Sequence, residues 1–249
     1  MATAILQTVP QISTGIPLTA SNLAERVLLI RSSPLFAGLS PDQCEDVARK
    51  ARPRVFARDE MLFAQGQPVR DLALIRSGSV KVTQLGPNGN EVILWIYGVG
   101  NVVGGLSEPI SSHHNCSARA MDQSTALVWD HASLQGLMQK FPQIRKNISQ
   151  ILFARLNELQ ERFREVATEK VAKRVALALL RLLKHIGKQV HGGVEISLSR
   201  EELAQMTGTT LFTTSRLLSK WGEMGFVLPR RQSVLVRDPS RLELVSDDL

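Results

Sequence analysis

Between Ser33 and Asp130 the apolar residues come in short runs cut by glycine. The runs Met61-Leu62-Phe63, Leu72-Ala73-Leu74-Ile75, Val80-Lys81-Val82, Val92-Ile93-Leu94-Trp95-Ile96 and Ala126-Leu127-Val128-Trp129 have strand length, with Gly66, Gly78, Gly86, Gly89, Gly98 and Gly100 at the breaks. This spacing predicts a compact antiparallel β structure, a sandwich or barrel. Pro87-Asn88-Gly89-Asn90 reads as a hairpin turn within it.

The pattern then changes period. Ile144 to Val166 contains neither glycine nor proline and sets Ile148, Leu152, Leu156, Leu159, Phe163 and Val166 three or four residues apart. That is one apolar stripe on a long helix. Arg155, Glu158, Glu161, Arg162, Arg164 and Glu165 flank it as charges flank a two-stranded coiled coil, so the stripe is expected to be a homodimer seam. Packing on its own domain is the alternative. A second helix, Lys170 to Ile186, presents Val171, Val175, Leu179, Leu182 and Leu183, and a basic, glycine-containing break from His185 to Gly193 follows.

Leu198-Ser199-Arg200-Glu201-Glu202-Leu203 carries a complete helix start. Ser199 caps the free amides, Glu202 closes the capping box, and Leu198 staples onto Leu203. The helix is expected to stop at Gly208, where the missing side chain permits a sharp turn, and Thr210 to cap a second helix beginning near Leu211. Such a pair is a DNA-reading helix-turn-helix. On the second helix Thr214, Leu217, Leu218 and Trp221 share an inward face, and Phe212, Ser215, Arg216 and Ser219 the opposite one. Leu211, Phe212, Ser215 and Arg216 are the expected base readers. Arg216 offers a planar fork that matches guanine O6 and N7. Phe212 either enters the core or presses on thymine methyls. Ser199, Arg200, Thr210 and Thr213, at the helix starts, are expected to hold phosphates, as are Arg230 and Arg231 in a hairpin wing between Phe226-Val227-Leu228 and Val234-Leu235-Val236.

Composition agrees with this division. The formal charge of +7 is concentrated late: Lys170 to Arg241 holds 13 Lys or Arg against 5 Asp or Glu, a footprint for a polyanion. No apolar run reaches the ~20 residues of a membrane span. Cys44 and Cys116 are too few and too far apart for a disulfide framework or a metal site. Met1 to Ser21 lacks the pattern of a signal peptide and has the Thr, Pro, Gly and Ser content of a mobile arm, so a cytoplasmic location is expected. Walker loops and nucleophile elbows are absent, and an enzyme is not expected. The fold class is α+β, divided as follows: arm 1–22, jelly-roll-like antiparallel β-roll 23–142, dimerisation helix 143–167, winged helix-turn-helix 168–249.

The arrangement resembles the CRP/FNR family of bacterial regulators over about Ser33 to Leu244. The resemblance rests on Ser33-Pro34-Leu35-Phe36-Ala37-Gly38-Leu39-Ser40, on Ile75-Arg76-Ser77-Gly78-Ser79-Val80-Lys81-Val82, and on Leu203 to Leu218 with Gly208 and Ser215-Arg216-Leu217-Leu218. It implies a homodimer on a two-fold symmetric duplex operator, contact with RNA polymerase, and a small-molecule effector in the β-roll. Members that bind cyclic nucleotides carry Gly-Glu-Leu and Arg-Ser-Ala. The matching positions here are Gly104-Gly105-Leu106 and Cys116-Ser117-Ala118, a candidate effector pocket without either charged contact. Cyclic AMP held in the family manner is therefore not expected. The cysteine cluster of the oxygen-sensing branch is missing before Cys44, which excludes its iron–sulfur cluster. His113-His114 beside Cys116 leave heme or redox sensing open, next to a plain reading as polar surface and a buried thiol. An effector-independent regulator with a structural β-roll is the alternative function.

Overall fold

The computed structural model describes residues 22–106 and 113–245; the expected N-terminal arm, up to Ser21, lies outside them. The chain begins with two helices, α1 (Leu23–Ser32) and α2 (Pro41–Lys50). Eight strands follow: β1 (Arg52–Phe56), β2 (Met61–Phe63), β3 (Asp71–Ser77), β4 (Val80–Leu85), β5 (Glu91–Tyr97), β6 (Val102–Gly104), β7 (Ser117–Ala120) and β8 (Ser124–Asp130). They form two antiparallel four-stranded sheets, ordered β1-β8-β3-β6 and β2-β7-β4-β5. Ile75, Val80, Val82, Tyr97, Val103 and Ala118 fill the space between them. This is the antiparallel jelly-roll-like β-roll that the apolar runs predict.

The region from Ser33 onward is not all β, however. A short 3-10 turn, Pro34–Phe36, and α2 occupy its start. Ser40 accepts a hydrogen bond from the Gln43 amide while the Gln43 side chain returns to the Ser40 amide, with Pro41 at the first helical position. Helix α3 (His131–Lys140) closes the roll, capped by Asp130.

Helix α4 (Gln143–Thr168) then runs for 26 residues. Glu169 and Lys170 break it from α5 (Val171–Ile186). After α5 the expected irregular break instead contains a strand, β9 (Lys188–Val190), turning through Gly192 into β10 (Gly193–Ile196). Helices α6 (Arg200–Thr207) and α7 (Leu211–Glu223), strands β11 (Val227–Pro229) and β12 (Val234–Val236), and α8 (Pro239–Glu243) complete the chain. The last sheet is ordered β11-β12-β10-β9. Val175, Leu179, Leu203, Leu218, Trp221 and Val236 share one core, which continues into the β-roll through Ile93 and Ile96. Among the described residues no helix is long and apolar enough to cross a membrane.

Candidate nucleic-acid interface

The interface is built from two capped helix starts. Ser199 Oγ accepts from the Glu202 amide at 3.1 Å and donates to Glu202 Oε2 at 2.8 Å, and that carboxylate accepts from the Ser199 amide at 2.9 Å. At the far end of α6, Gly208 takes φ 62°, ψ 43°. A side chain there would strain the turn, whereas glycine adopts this conformation freely. Two residues later Thr210 Oγ1 accepts from the Thr213 amide at 3.1 Å and starts α7. Thr214, Leu218 and Trp221 are buried and Leu217 half-buried, which fixes the rotation of α7 about its axis. The opposite face is thereby committed to solvent. Phe212 is 74% and Leu211 51% exposed. Arg216 and Ser219 are exposed, and Ser215 is half-buried. Phe212 therefore stays out of the core.

Between the starts of α6 and α7 and the wing lies a cleft of about 490 Å³, lined by Ser199, Arg200, Glu201, Leu211, Arg230 and Arg231 among others. The expected phosphate ligands differ sharply in availability there. The Ser199 hydroxyl is spent on the capping box, so its role is to aim α6 rather than to hold an anion. Thr210 and Thr213 hydroxyls lie 2.9 Å apart and bond each other. Arg230 is paired with Glu195 at 2.6 Å. Arg231 is exposed and Arg200 half-buried, and both line the cleft. Those two cations are the ones open to an anion in the cleft.

Two arginines read as solvated flanks of the α4 stripe are turned inward. Arg162 is 9% exposed and donates to the carbonyls of Leu94, Ile93 (3.2 Å) and Met206 (3.2 Å), tying β5, α4 and α6 at one point. Arg155 donates to the Val102 carbonyl at 2.6 Å and lies over the Tyr97 ring, 4.7 Å from its centre. Glu165, also buried, forms a two-pronged pair with Arg181 of α5 at 2.6 and 2.8 Å. A guanidinium can leave the solvent in this way only where carbonyls or a ring face receive its N–H groups. The available sequence signal was position: Arg155 and Arg162 are seven residues apart and line up with Leu159 and Val166, the spacing of a core stripe. A further link joins the two ends of the molecule. Lys81 of β4 pairs with Glu202 of α6 at 2.9 Å, both largely buried.

The β-roll holds a cavity of about 340 Å³, bounded on one side by α4. Gly104, Gly105, Leu106 and Cys116 line it, as do Arg155, Leu152, Leu156 and Leu159. His114 is buried and stacks on Phe63 with ring centres 3.7 Å apart, and its burial lowers its pKa. Burial likewise raises the Cys116 thiol, which keeps it protonated and unreactive. His113 is exposed and bridges to Pro68, so the two histidines do not converge on one point. Ser117, grouped with this pocket on sequence, is not part of its wall. Alternation along β7 turns Cys116 and Ala118 to the inner core, and the Ser117 hydroxyl accepts from the Gln65 amide at 2.9 Å.

Comparison with known proteins agrees with both halves of this architecture. Residues 53–141 match the cyclic nucleotide-binding domain family, and residues 173–245 match the Crp-like helix-turn-helix domain. A CRP-like cAMP-activated global transcriptional regulator of Mycobacterium tuberculosis is 28% identical over 216 residues, 86% of this chain and 96% of that protein. The cyclic AMP receptor protein of Thermus thermophilus is 28% identical over 217 residues, 87% of this chain and 98% of that one. The chain belongs to the CRP/FNR family of transcription regulators. Its fold matches FixK2 from Bradyrhizobium japonicum with a TM-score of 0.70 at 21% identity, covering 80% of this chain and 98% of that one. The c-di-GMP responsive global regulator CLP of Xanthomonas campestris gives 0.68 at 25% identity, covering 80% and 100%. Similar proteins of this family are regulators and not enzymes, and the helix-turn-helix is its DNA-binding element.

Within the CRP/FNR frame the nucleotide positions do not fit the ligand that the domain's name suggests. Gly105 stands where the acid for a ribose would stand, with φ +51°. A Cβ added there would lie 2.9 Å from Leu72 Cβ and 3.0 Å from the Asp71 carbonyl. The backbone leaves no room for a glutamate side chain. At the second position Cys116 offers a neutral thiol where a phosphate needs a cation.

Proposed function

We propose that this regulator binds a two-fold symmetric duplex operator as a homodimer, and that a molecule in the β-roll cavity sets its affinity for DNA. The observation carrying the DNA reading is the start of α7, where capping and a buried opposite face hold Phe212 and Arg216 out in solvent as a preorganised pair. Arg216 reads guanine, with Ser215 and Leu211 beside it. Phe212 presses on a thymine methyl, and Arg200 and Arg231 hold the backbone.

The dimer is supported by the α4 stripe. Phe163 is 76%, Val166 54% and Leu156 50% exposed, an apolar row that a single chain leaves wet. Ile148 departs from the expected seam, since it packs on the core of its own domain. A second copy of α4 covers the rest by an isologous contact. In the cytoplasm such a dimer would contact RNA polymerase, as the family does. Gating follows from the junction: rotation of the DNA-binding half about Glu169 and Lys170 must part Arg162 from Met206 and Lys81 from Glu202.

Enrichment of random duplexes by the full-length protein tests this reading, with sedimentation in parallel. A palindromic site with guanine in each half, bound by a dimer, is the expected result. Recovery of unrelated sequences, or of single half-sites bound by a monomer, would overturn it. Replacing operator thymine by deoxyuracil should weaken the wild type and leave Phe212→Ala unaffected.

One observation favours a second reading, in which DNA binding needs no effector. Ile93 and Ile96 of the β-roll are part of the DNA-binding domain's own core, so the two halves are welded rather than hinged. Gel-shift affinity before and after unfolding, exhaustive dialysis and refolding separates the two: unchanged binding selects the second.

A further inference from the structure

We propose that Arg174 of α5 is a positioning residue for DNA recognition: it pins the turn of the helix-turn-helix to the end of α4 and so sets which spacing between operator halves the dimer accepts. The inference rests on the reading of the chain as a dimer on a two-fold symmetric operator, and adds what fixes the distance between its two reading helices.

Arg174 is half-buried in the first turn of α5, where its guanidinium meets the ends of two helices. Nη1 donates to the carbonyls of Val166 at 3.4 Å and Glu169 at 3.5 Å, which close α4, and Nη2 to the carbonyl of Gly208 at 3.3 Å, which closes α6. The last four carbonyls of a helix have no donor within it, and the helix dipole makes that end negative. A planar fork of N–H groups serves two such ends at once, whereas a lysine ammonium is a single point of charge. None of the three contacts is short. Their placement matters more than the strength of any one.

Both ends matter to the reading of DNA. Gly208 is the left-handed residue between α6 and α7, two positions before the Thr210 cap of the reading helix. Val166 is 54% exposed and belongs to the apolar row assigned to the dimer contact. One side chain therefore spans from the dimer seam to the base of the reading helix. In a two-fold dimer the offset of each turn from the seam, doubled, is the separation of the two reading helices. Two other links behave differently. The Arg181–Glu165 pair joins α5 to α4 and so fixes the angle between those helices. Arg162 reaches Met206 of α6 but is anchored on the β-roll carbonyls of Ile93 and Leu94, and rotation about Glu169 and Lys170 parts it from α6. Arg174 and Gly208 belong to the same half and Glu169 is the pivot, so their contacts persist through that rotation. The outward aim of Phe212 and Arg216 is set separately, by the burial of Thr214, Leu218 and Trp221. Spacing and base choice are thus held by different residues.

Fluorescence anisotropy of the full-length protein tests the assignment, on the palindromic duplex recovered by enrichment and on two duplexes with one base pair added to or removed from its centre. One base pair shifts the halves by about 3.4 Å and turns them by about 35°. The wild type should bind the altered spacings at least about tenfold more weakly. Arg174→Met should cut that discrimination to about threefold or less and leave the guanine preference within each half unchanged. Arg174→Lys should restore part of it. Arg241→Met removes another arginine-to-carbonyl contact, to Met224 at 3.0 Å, that lies wholly within the DNA-binding half; it should keep the wild-type discrimination. Circular dichroism establishes which variants are folded. Should Arg174→Met not fold, Arg174→Lys carries the test alone, and wild-type discrimination in it would count against the proposal. Wild-type discrimination in a folded Arg174→Met, a parallel loss of spacing and base preference, or an equal loss in Arg241→Met would each overturn it. A wild type that binds only as a monomer or selects no palindrome sinks the dimeric operator reading, whereas a dimer whose spacing preference survives Arg174→Met sinks this inference alone.

Discussion

The start of α7 and the β-roll cavity, the two sites to which we assign partners, present their side chains differently, one in solvent and the other in a partly buried wall. Around α7 the helix starts are closed by local pairs, Ser199 with Glu202 and Thr210 with Thr213, the buried Thr214 hydroxyl and Trp221 indole N–H have no partner among the described residues, and Arg216 and Phe212 remain as exposed side chains on a rigid stem. At the cavity the side chains are withdrawn instead: Arg155, Tyr97 and Trp95 are partly or fully buried with donors unspent. A DNA surface is large and wet and supplies most of its affinity through charge, so the reading element needs direction rather than stored tension. A small ligand has few atoms, and each must meet a group whose solvation has already been given up. Between the two sites lies a third region, where Arg162 bonds three carbonyls and Lys81 pairs with Glu202.

This contrast can be broken at each of its three parts. The largest effect is expected at the junction: Arg162→Met strands the carbonyls of Ile93, Leu94 and Met206 and should destabilise the fold by about 3 kcal/mol, read by urea unfolding. A loss under about 1 kcal/mol would mean that water replaces the guanidinium and that the junction is loose. At α7, Arg216→Ala should cost about 1–3 kcal/mol at the guanine it reads. Fluorescence anisotropy on the selected operator and on its guanine-substituted partner measures this, and an unchanged base preference would move the readout elsewhere.

Lys81→Met should cost about 1 kcal/mol, as for a half-screened ion pair, and should alter the acid limb of stability. Burial raises the Glu202 pKa, but the Lys81 and Ser199 hydrogen bonds together outweigh it and hold the group below the usual glutamate value. A lowered pKa gives stabilisation that is present above roughly pH 4.3 and is lost as the pH falls through the folded value. The variant should lose part of that slope; an identical acid limb in both proteins would show that Lys81 does not set it. Smallest of all, Arg231→Ala should weaken every duplex alike and reduce the slope of log affinity against log salt by about 0.9. A sequence-dependent loss would make Arg231 a base reader.

What the sequence revealed follows the locality of the forces involved. The helix-turn-helix was legible almost to the residue because its determinants lie within three or four positions of each other: Ser199 with Glu202, the left-handed Gly208, Thr210 with Thr213. The strands of the β-roll were legible as apolar runs. Helix α2 is not marked by its apolar pattern, although Ser40, Pro41 and Gln43 carry a complete start signal, because its apolar positions are few. The cavity chemistry was hidden for a different reason. Tyr97 and Arg155 are 58 positions apart in the sequence, and the inward turn of Arg155 depends on a ring and a carbonyl that only the folded β-roll brings to α4. The availability of the phosphate ligands was equally nonlocal, since Arg230 is occupied by Glu195 of another strand.

The carboxylate of Glu202 has a consequence for recombination among related regulators. It caps α6 and neutralises Lys81 at once, so the DNA-binding half is not a freely exchangeable cassette. A chimera that joins this half to a foreign β-roll without a lysine at the matching strand position would leave an uncompensated negative charge beside the cleft meant for phosphates. Transplanting Lys81 along with the new partner should restore operator binding in a hybrid whose every other contact is unchanged.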